Sequence, residues 1–253
     1  MGVHASESPR LDPGDAELLV GSYNVHKGVG GDMRRDSGRT IEVIREIGAD
    51  LVALQEVDRR FGDRKGVIDL AQLQEATGLS PAPLPSRLGA LAHGWHGNLL
   101  LFRDAEIEDV RPITLPGLEP RGAIVCDLRV AGRPLRVIAA HLGLLHQSRL
   151  IQARRLALEI EAAKDRPTLV MGDLNEWRLG ARCSLMPLRK QLRAVKRSAT
   201  TAASFPARLP VLPLDRIIGC NRAEILDLVT HDTPMARQAS DHLPIKARLR
   251  LPG

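Results

Sequence analysis

The 253-residue sequence predicts an α/β fold in which two mixed sheets pack together with helices on the outside. Three observations predict it. Apolar runs of strand length are interspersed with segments of helical periodicity along most of the chain, the pattern of a layered α/β architecture. The run from Leu169 to Met171, restarted by Pro167 and stopped by Gly172, is apolar without alternation, as in a strand buried on both faces. The last strand candidates follow one another too closely for helical crossovers, so the sheets are not purely parallel.

The elements read as follows. Met1 to Glu17 mix Ser, Pro, Asp, Glu and Gly with almost no apolar content and read as a mobile tail without the hydrophobic stretch of a secretory signal, leaving 18–253 as a single domain. Leu18 to Tyr23 reads as a strand. Ile41, Ile44 and Ile47 recur at helical spacing, with Ser37 as the N-cap and Gly48 as the stop. Leu51 to Leu54 is a second buried strand. A helix over Val67 to Thr77 precedes the proline-rich stretch Pro81 to Pro85, which must be extended or looped. Asn98 to Phe102, Ala123 to Val130 and Leu135 to His141 are strands separated by Gly and Pro turns. Ser148 to Ala162 is the longest helix, and the apolar run from Leu169, ending at Gly172, is the strand after it. Pro187 to Lys196 is a short basic helix, and Leu214 to Ile218, Ala223 to Thr230 and Leu243 to Leu249 are the last strands. No repeat at solenoid spacing is present.

Composition narrows the function classes. The net charge of +6 and a pI near 9.7 favour a polyanionic partner or an anionic substrate. Aromatic residues make up only 2% of the chain, which leaves little material for the stacking platforms used on single-stranded nucleic acid. No apolar run reaches membrane-spanning length, so no transmembrane segment is expected. Three widely spaced cysteines, Cys126, Cys183 and Cys220, argue against a disulfide framework or a Cys-rich zinc site, and point to the cytoplasm.

Function is suggested by polar residues at strand ends. Gly172 permits a tight turn, after which Asp173 and Asn175 sit at a strand tip, where functional side chains are often displayed. Alone, Gly-Asp-Leu-Asn reads equally as an Asx-type turn. Other strands end in Asn24, Gln55-Glu56 and His141, while Asp215 and Ser240-Asp241-His242 stand at or near the starts of others. Each has a structural explanation, such as Glu56 with Arg59 or Asp215 with Arg216. Together, carboxylates, carboxamides and histidines in these places are the parts of a metal-assisted phosphoester hydrolase. Hard oxygen ligands such as Glu56 and Asp241 suit Mg²⁺ or Mn²⁺. A histidine held by an aspartate can take a proton from water or stabilise charge on a phosphoryl oxygen. Asp173 can orient the attacking water and Asn175 can donate to a phosphate oxygen.

In this order, Asn24, Gln55-Glu56, His141-Leu142, Gly172-Asp173-Leu174-Asn175, Leu214-Asp215-Arg216-Ile217 and Ser240-Asp241-His242 resemble the endonuclease/exonuclease/phosphatase superfamily, over about Leu18 to Leu249. The resemblance implies a four-layer α/β/β/α sandwich of the DNase I-like kind. It implies Glu56 as the principal metal ligand with Asn24 and Asp241 beside it, a His242–Asp215 catalytic dyad, and Asp173 and Asn175 in the water-orienting and phosphate-binding roles. His141 stands where the abasic-site endonucleases carry tyrosine, which tilts the reading away from them. Further local matches, among them His96-Gly97-Asn98, Arg121-Gly122 and Phe205-Pro206, resemble a bacterial branch whose genes often neighbour a cardiolipin synthase; Asn98 and Arg121 join Asn175 as substrate-binding candidates. Lys27, Arg34, Arg35 and Arg178 also lie near these motifs and could grip an anion. The implied activity is a Mg²⁺- or Mn²⁺-dependent phosphodiesterase acting on nucleic acid or a phospholipid head group, the latter compatible with peripheral membrane contact. The alternative is a catalytically silent partner of a lipid-synthesis enzyme, which should have lost one of Glu56, Asp173, Asp215 or His242; all four are present.

Overall fold

The computed structural model describes residues 15–60, 62–86, 88–178, 180–192, 201–220 and 222–253. In chain order the elements are β1 (Ala16–Asn24), α1 (Ser37–Ile47), β2 (Leu51–Gln55), α2 (Leu70–Thr77), β3 (Ser80–Pro81), β4 (Leu99–Phe102), β5 (Ala105–Leu115), β6 (Arg121–Val130), β7 (Arg133–His141), α3 (His146–Glu161), β8 (Thr168–Asp173), α4 (Met186–Leu192), β9 (Asp215–Gly219), β10 (Glu224–Thr230), α5 (Pro234–Ala239) and β11 (Ile245–Leu251). A six-stranded sheet has the order β10-β11-β1-β2-β4-β3, and a five-stranded sheet the order β5-β6-β7-β8-β9. Both are mixed: β1 with β2 and β7 with β8 are the parallel pairs, and every other pair is antiparallel.

Side-chain alternation explains why apolar runs form these strands. Leu51 and Ala53 of β2, Leu169 and Met171 of β8, and Ile124 and Leu128 of β6 point into one core between the sheets. Their neighbours point the other way. Val52 and Leu54 pack with Ile41, Ile44 and Ile47 of α1 and Leu73 of α2, while Val125 and Val170 pack with Ala153, Leu156 and Ile160 of α3 and Leu188 of α4. The result is the four-layer α/β/β/α sandwich. Burial on both faces accounts for strands without polar alternation, and each fully buried Leu, Ile or Val contributes about 1.5–3 kcal/mol.

Several element limits differ from those read from the sequence, for local reasons. Asp36 and not Ser37 caps α1, its carboxylate accepting from the backbone N–H groups of Gly38 and Arg39; Gly48 ends the helix with φ of 65°, as expected. Asp69 likewise caps α2, so that helix starts at Leu70 and not Val67. Ala16 and Glu17, assigned to the tail, pair with Leu251 and Arg250. The stretch Lys196 and the three residues before it, read as the end of a basic helix, lies outside the described residues. Three elements were not anticipated, the two-residue β3, the long edge strand β5 and the short α5. Cys126, Cys183 and Cys220 are free thiols. No described helix is long and apolar enough to cross a membrane.

Strand direction decides what meets at one end of the sandwich. The parallel pairs finish together, at Asn24 and Gln55 in one sheet and at His141 and Asp173 in the other. The antiparallel neighbours begin there: Asp215 pairs with Asp173, Gly122 with His141, and Ile245 with Ser22.

Candidate active site

Asp173 is the last residue of β8, and Gly172 sets its position. Gly172 has φ of 143°, and a Cβ there would lie 1.9 Å from the carbonyl oxygen of Ala140 on β7, so only glycine lets the strands close at this point. The Asp173 carboxylate is buried. Its Oδ1 accepts from the Asn175 backbone N–H at 3.0 Å, which is the Asx-type turn open to this motif. Its Oδ2 accepts from Asn24 Nδ2 at 2.9 Å and lies 3.4 Å from His141 Nε2 and 3.9 Å from His242 Nε2. One oxygen thus joins the ends of strands from both sheets, and the turn and the site are the same structure.

Behind His242 stands Asp215, fully buried, with its Oδ2 2.8 Å from His242 Nδ1. The same oxygen accepts from Ser204 Oγ at 2.6 Å, and the Phe205 ring leans on the imidazole with centroids 4.9 Å apart. Burial alone would lower the pKa of His242, but the carboxylates of Asp215 and Asp173 more than offset it and raise it to about 10. His141 goes the other way. Burial lowers its pKa to about 3, with the cation of Arg121 opposing the attraction of Asp173. Arg121 Nη1 lies 2.9 and 3.1 Å from the two ring nitrogens, and Arg121 is held in place by Glu119 at 3.0 Å. Two histidines against one carboxylate therefore differ in charge, His242 cationic and His141 neutral.

Glu56 follows β2 with φ of 58° and forms an ion pair with Lys27. Burial raises its pKa, but the Lys27 ammonium, and beyond it His26 and Arg121, bring it below the ordinary carboxylate value. Asp241 is 43% exposed, and its Oδ1 lies 3.6 Å from His26 Nδ1. Asn24, through Oδ1, accepts from the His26 backbone N–H at 3.0 Å. Among the described residues, no group of three or more His, Cys, Asp or Glu side chains is gathered as a metal cage. Mg²⁺ does not need one, since it binds through one or two carboxylates with water and phosphate. The donor set of Glu56, Asp241 and the Asn24 carbonyl oxygen suits such an ion, and the Lys27 ammonium on Glu56 shows that this carboxylate attracts a cation.

Of the ten residues singled out in the sequence, Asn24, His141, Asp173, Asn175, Asp215, His242 and Arg121 are joined by the contacts above. Glu56 enters through Lys27 and shares a pocket with His141 and Arg121. Asp241 stands at its exposed edge. Asn98 is placed differently: fully buried, it spends its Nδ2 on the carbonyl oxygens of Trp95 and Gly122, both at 3.0 Å, and fastens the turn before β4 to β6. Asn175 Nδ2 donates to the Leu142 carbonyl at 3.0 Å, which leaves one amide hydrogen. Sequence reasoning missed Ser204, whose only signal is its place before Phe205-Pro206, and the pairing of Lys27 with Glu56, which needs the two parallel strands side by side.

Comparison with known proteins agrees with this fold. A family model described as the Endonuclease/Exonuclease/phosphatase family matches residues 21–242. Among curated proteins, none matches. Among solved structures, an endonuclease/exonuclease/phosphatase from Beutenbergia cavernae DSM 12333 is 21% identical with a TM-score of 0.72, covering 94% of this chain and 72% of that one. The human Nocturnin catalytic domain with bound sulfate anion is 20% identical with a TM-score of 0.67, covering 92% and 94%. D. rerio TDP2 complexed with single strand DNA product is 15% identical with a TM-score of 0.64, covering 92% and 99%. These likenesses are of fold.

Proposed function

The chain belongs to the endonuclease/exonuclease/phosphatase family, whose members hydrolyse phosphoester bonds, and from that premise we propose that it is a divalent-metal-dependent phosphodiesterase. The observation that carries the reading is the Asp173 carboxylate, held between Asn24 and two histidines, one cationic and one neutral. A cationic His242 is not a base. It donates from Nε2 to a phosphoryl oxygen and stabilises the charge that develops there, with Asp215 fixing the ring and its tautomer through Nδ1. Proton abstraction from water then falls to Asp173, an acceptor whose hydrogen bonds from Asn24 and the Asn175 backbone fix its direction. The remaining amide hydrogen of Asn175 and the Arg121 guanidinium are the further donors for non-bridging oxygens. Glu56 and Asp241, with Asn24, would hold the metal, Mg²⁺ or Mn²⁺. When bound, that ion supplies charge neutralisation at the leaving oxygen.

Nucleic acid and phospholipid head groups are the two substrate classes. The basic balance of the chain supports the first, as does the single-strand DNA product in the TDP2 structure; the second rests on the bacterial branch that the local motifs resemble. Hydrolysis of bis(p-nitrophenyl) phosphate with Mg²⁺ or Mn²⁺ tests the reaction class. Asp173→Ala and His242→Ala should each lower kcat/KM by at least about 10²-fold to 10⁴-fold, the range for losing an acid–base or charge-stabilising group. Wild-type rates in both variants would refute the assignment. No turnover of any phosphoester by the wild type would instead favour the silent-partner reading.

A further inference from the structure

We propose that Lys27, Arg35, Arg59 and Arg60 form a second anion site beside the catalytic pocket, which binds a further phosphate of the same substrate; the proposal rests on the phosphodiesterase reading. The catalytic pocket is lined by Lys27, Glu56, Arg60, Arg121 and His141 among others. Among the described residues, a neighbouring cleft is lined by Lys27, Arg35, Arg59 and Arg60 alone. Lys27 and Arg60 belong to both, so a ligand seated on His141 and Arg121 reaches the cleft without leaving the protein surface.

Lys27 is balanced by Glu56, but the three guanidinium groups of this cleft are not balanced from within. Several arginines elsewhere are ion-paired, Arg45 with Glu42, Arg64 with Asp58, Arg136 with Asp127 and Arg250 with Glu224. Among the described residues Arg35, Arg59 and Arg60 have no such carboxylate, and none lines the cleft. Like charges that share one cleft repel unless an anion lies between them. They are brought together by fixed backbone and not by chance meeting of long side chains. Lys27 has φ of 57°, and its N–H donates to the Glu56 carbonyl at 3.2 Å. Asp36 N–H, next to Arg35, donates to Gly28 at 2.8 Å, and Arg59 N–H donates to Lys65 at 3.0 Å. Residues held at unfavourable φ near a reaction centre are a mark of preorganisation. Guanidinium groups suit phosphate because their forked N–H pairs match its oxygens, which a general surface charge would not require.

The substrate class that follows is a phosphodiester carrying a second phosphate close to the scissile one. The test uses the full chain and the p-nitrophenyl ester of thymidine monophosphate, with and without a second phosphate on its free hydroxyl. In the wild type the second phosphate should lower KM at least about tenfold, equivalent to about 1.4 kcal/mol. In the double variant Arg35→Gln, Arg59→Gln the advantage should fall below about twofold, and Arg35→Lys, Arg59→Lys should restore part of it, with thermal melting unchanged in both. No advantage in the wild type, or an advantage that survives the double glutamine variant, would overturn the proposal. Calorimetry with thymidine bisphosphate and monophosphate in EDTA separates the two levels. Preference for the bisphosphate without any hydrolysis refutes the phosphodiesterase reading and keeps the cleft, whereas hydrolysis without preference refutes the cleft alone. A matching pair built on glycerol phosphate identifies the source: an equal gain assigns the site to phosphate as such, and a gain confined to thymidine assigns it to a nucleic-acid strand.

Discussion

His141 and His242 stand 3.4 and 3.9 Å from the same carboxylate oxygen, yet their surroundings shift their pKa values in opposite directions. The difference has a cause that can be varied. His242 has Asp215 at 2.8 Å on its far nitrogen, while His141 has the Arg121 guanidinium. For the metal-free protein this becomes a statement about stability. The folded-state pKa of His242, about 10, lies above its ordinary value of 6.5, so its contribution is fully present below about pH 6.5 and is lost as the pH rises through about 10. Urea unfolding in EDTA should therefore show a gap between wild type and His242→Gln that narrows by more than about 1 kcal/mol between about pH 6 and about pH 10.5. A constant gap would contradict the charge assignment. Gly172 gives a second prediction at this scale. Alanine there meets the Ala140 carbonyl at a positive φ, so Gly172→Ala should cost more than about 1 kcal/mol in denaturant unfolding and lower kcat through the displacement of Asp173.

Among the elements, β6, β7 and α3 are tied by a single buried guanidinium. Arg136 donates to both carboxylate oxygens of Asp127, at 2.7 and 2.6 Å, and to the Glu159 carbonyl at 2.7 Å. Asp127→Leu leaves that cation buried without its partner and should destabilise the protein by about 3–5 kcal/mol, whereas replacing both residues by apolar ones should be closer to neutral. Equilibrium unfolding of the three proteins checks it. How much of the fold was legible follows from the same element-level physics. Strands buried on both faces, such as β2 and β8, announce themselves as short apolar runs. β5 does not, because as an edge strand it carries Glu106, Glu108, Asp109 and Arg111, tolerates Pro112, and has its alternation broken by a register shift between Ile107 and Asp109. α5 is a single short turn-length helix started by Pro234, too brief for any period to show. The site was legible where a polar residue ends an apolar run, as at Asn24, His141 and Asp173. Lys27 against Glu56, and Ser204 against Asp215, depend on residues brought together by sheet order, which no local pattern carries.

For the whole molecule, the decisive fact is that the site is made where two sheets end together. Asn24 comes from one sheet and Asp173 from the other, so any sliding of one layer across the core pulls apart a 2.9 Å hydrogen bond at the centre of the chemistry. The six-stranded sheet is itself discontinuous in the chain, since β5 to β9 lie between β4 and β10, and β11 then inserts between β10 and β1. A chain ending at Pro244 would lack that central strand and leave two open edges. It should show no cooperative unfolding transition and be cut rapidly by protease, and a stable, protected truncated form would contradict this role for β11. The same insertion sets an order during synthesis on the ribosome. Every strand of the five-stranded sheet emerges before β11, but Ser22 has no antiparallel neighbour until Ile245 leaves the exit tunnel, and His242 leaves only just ahead of it. The His242–Asp215 pair is therefore the last part of the centre to assemble, after every strand of the five-stranded sheet has emerged.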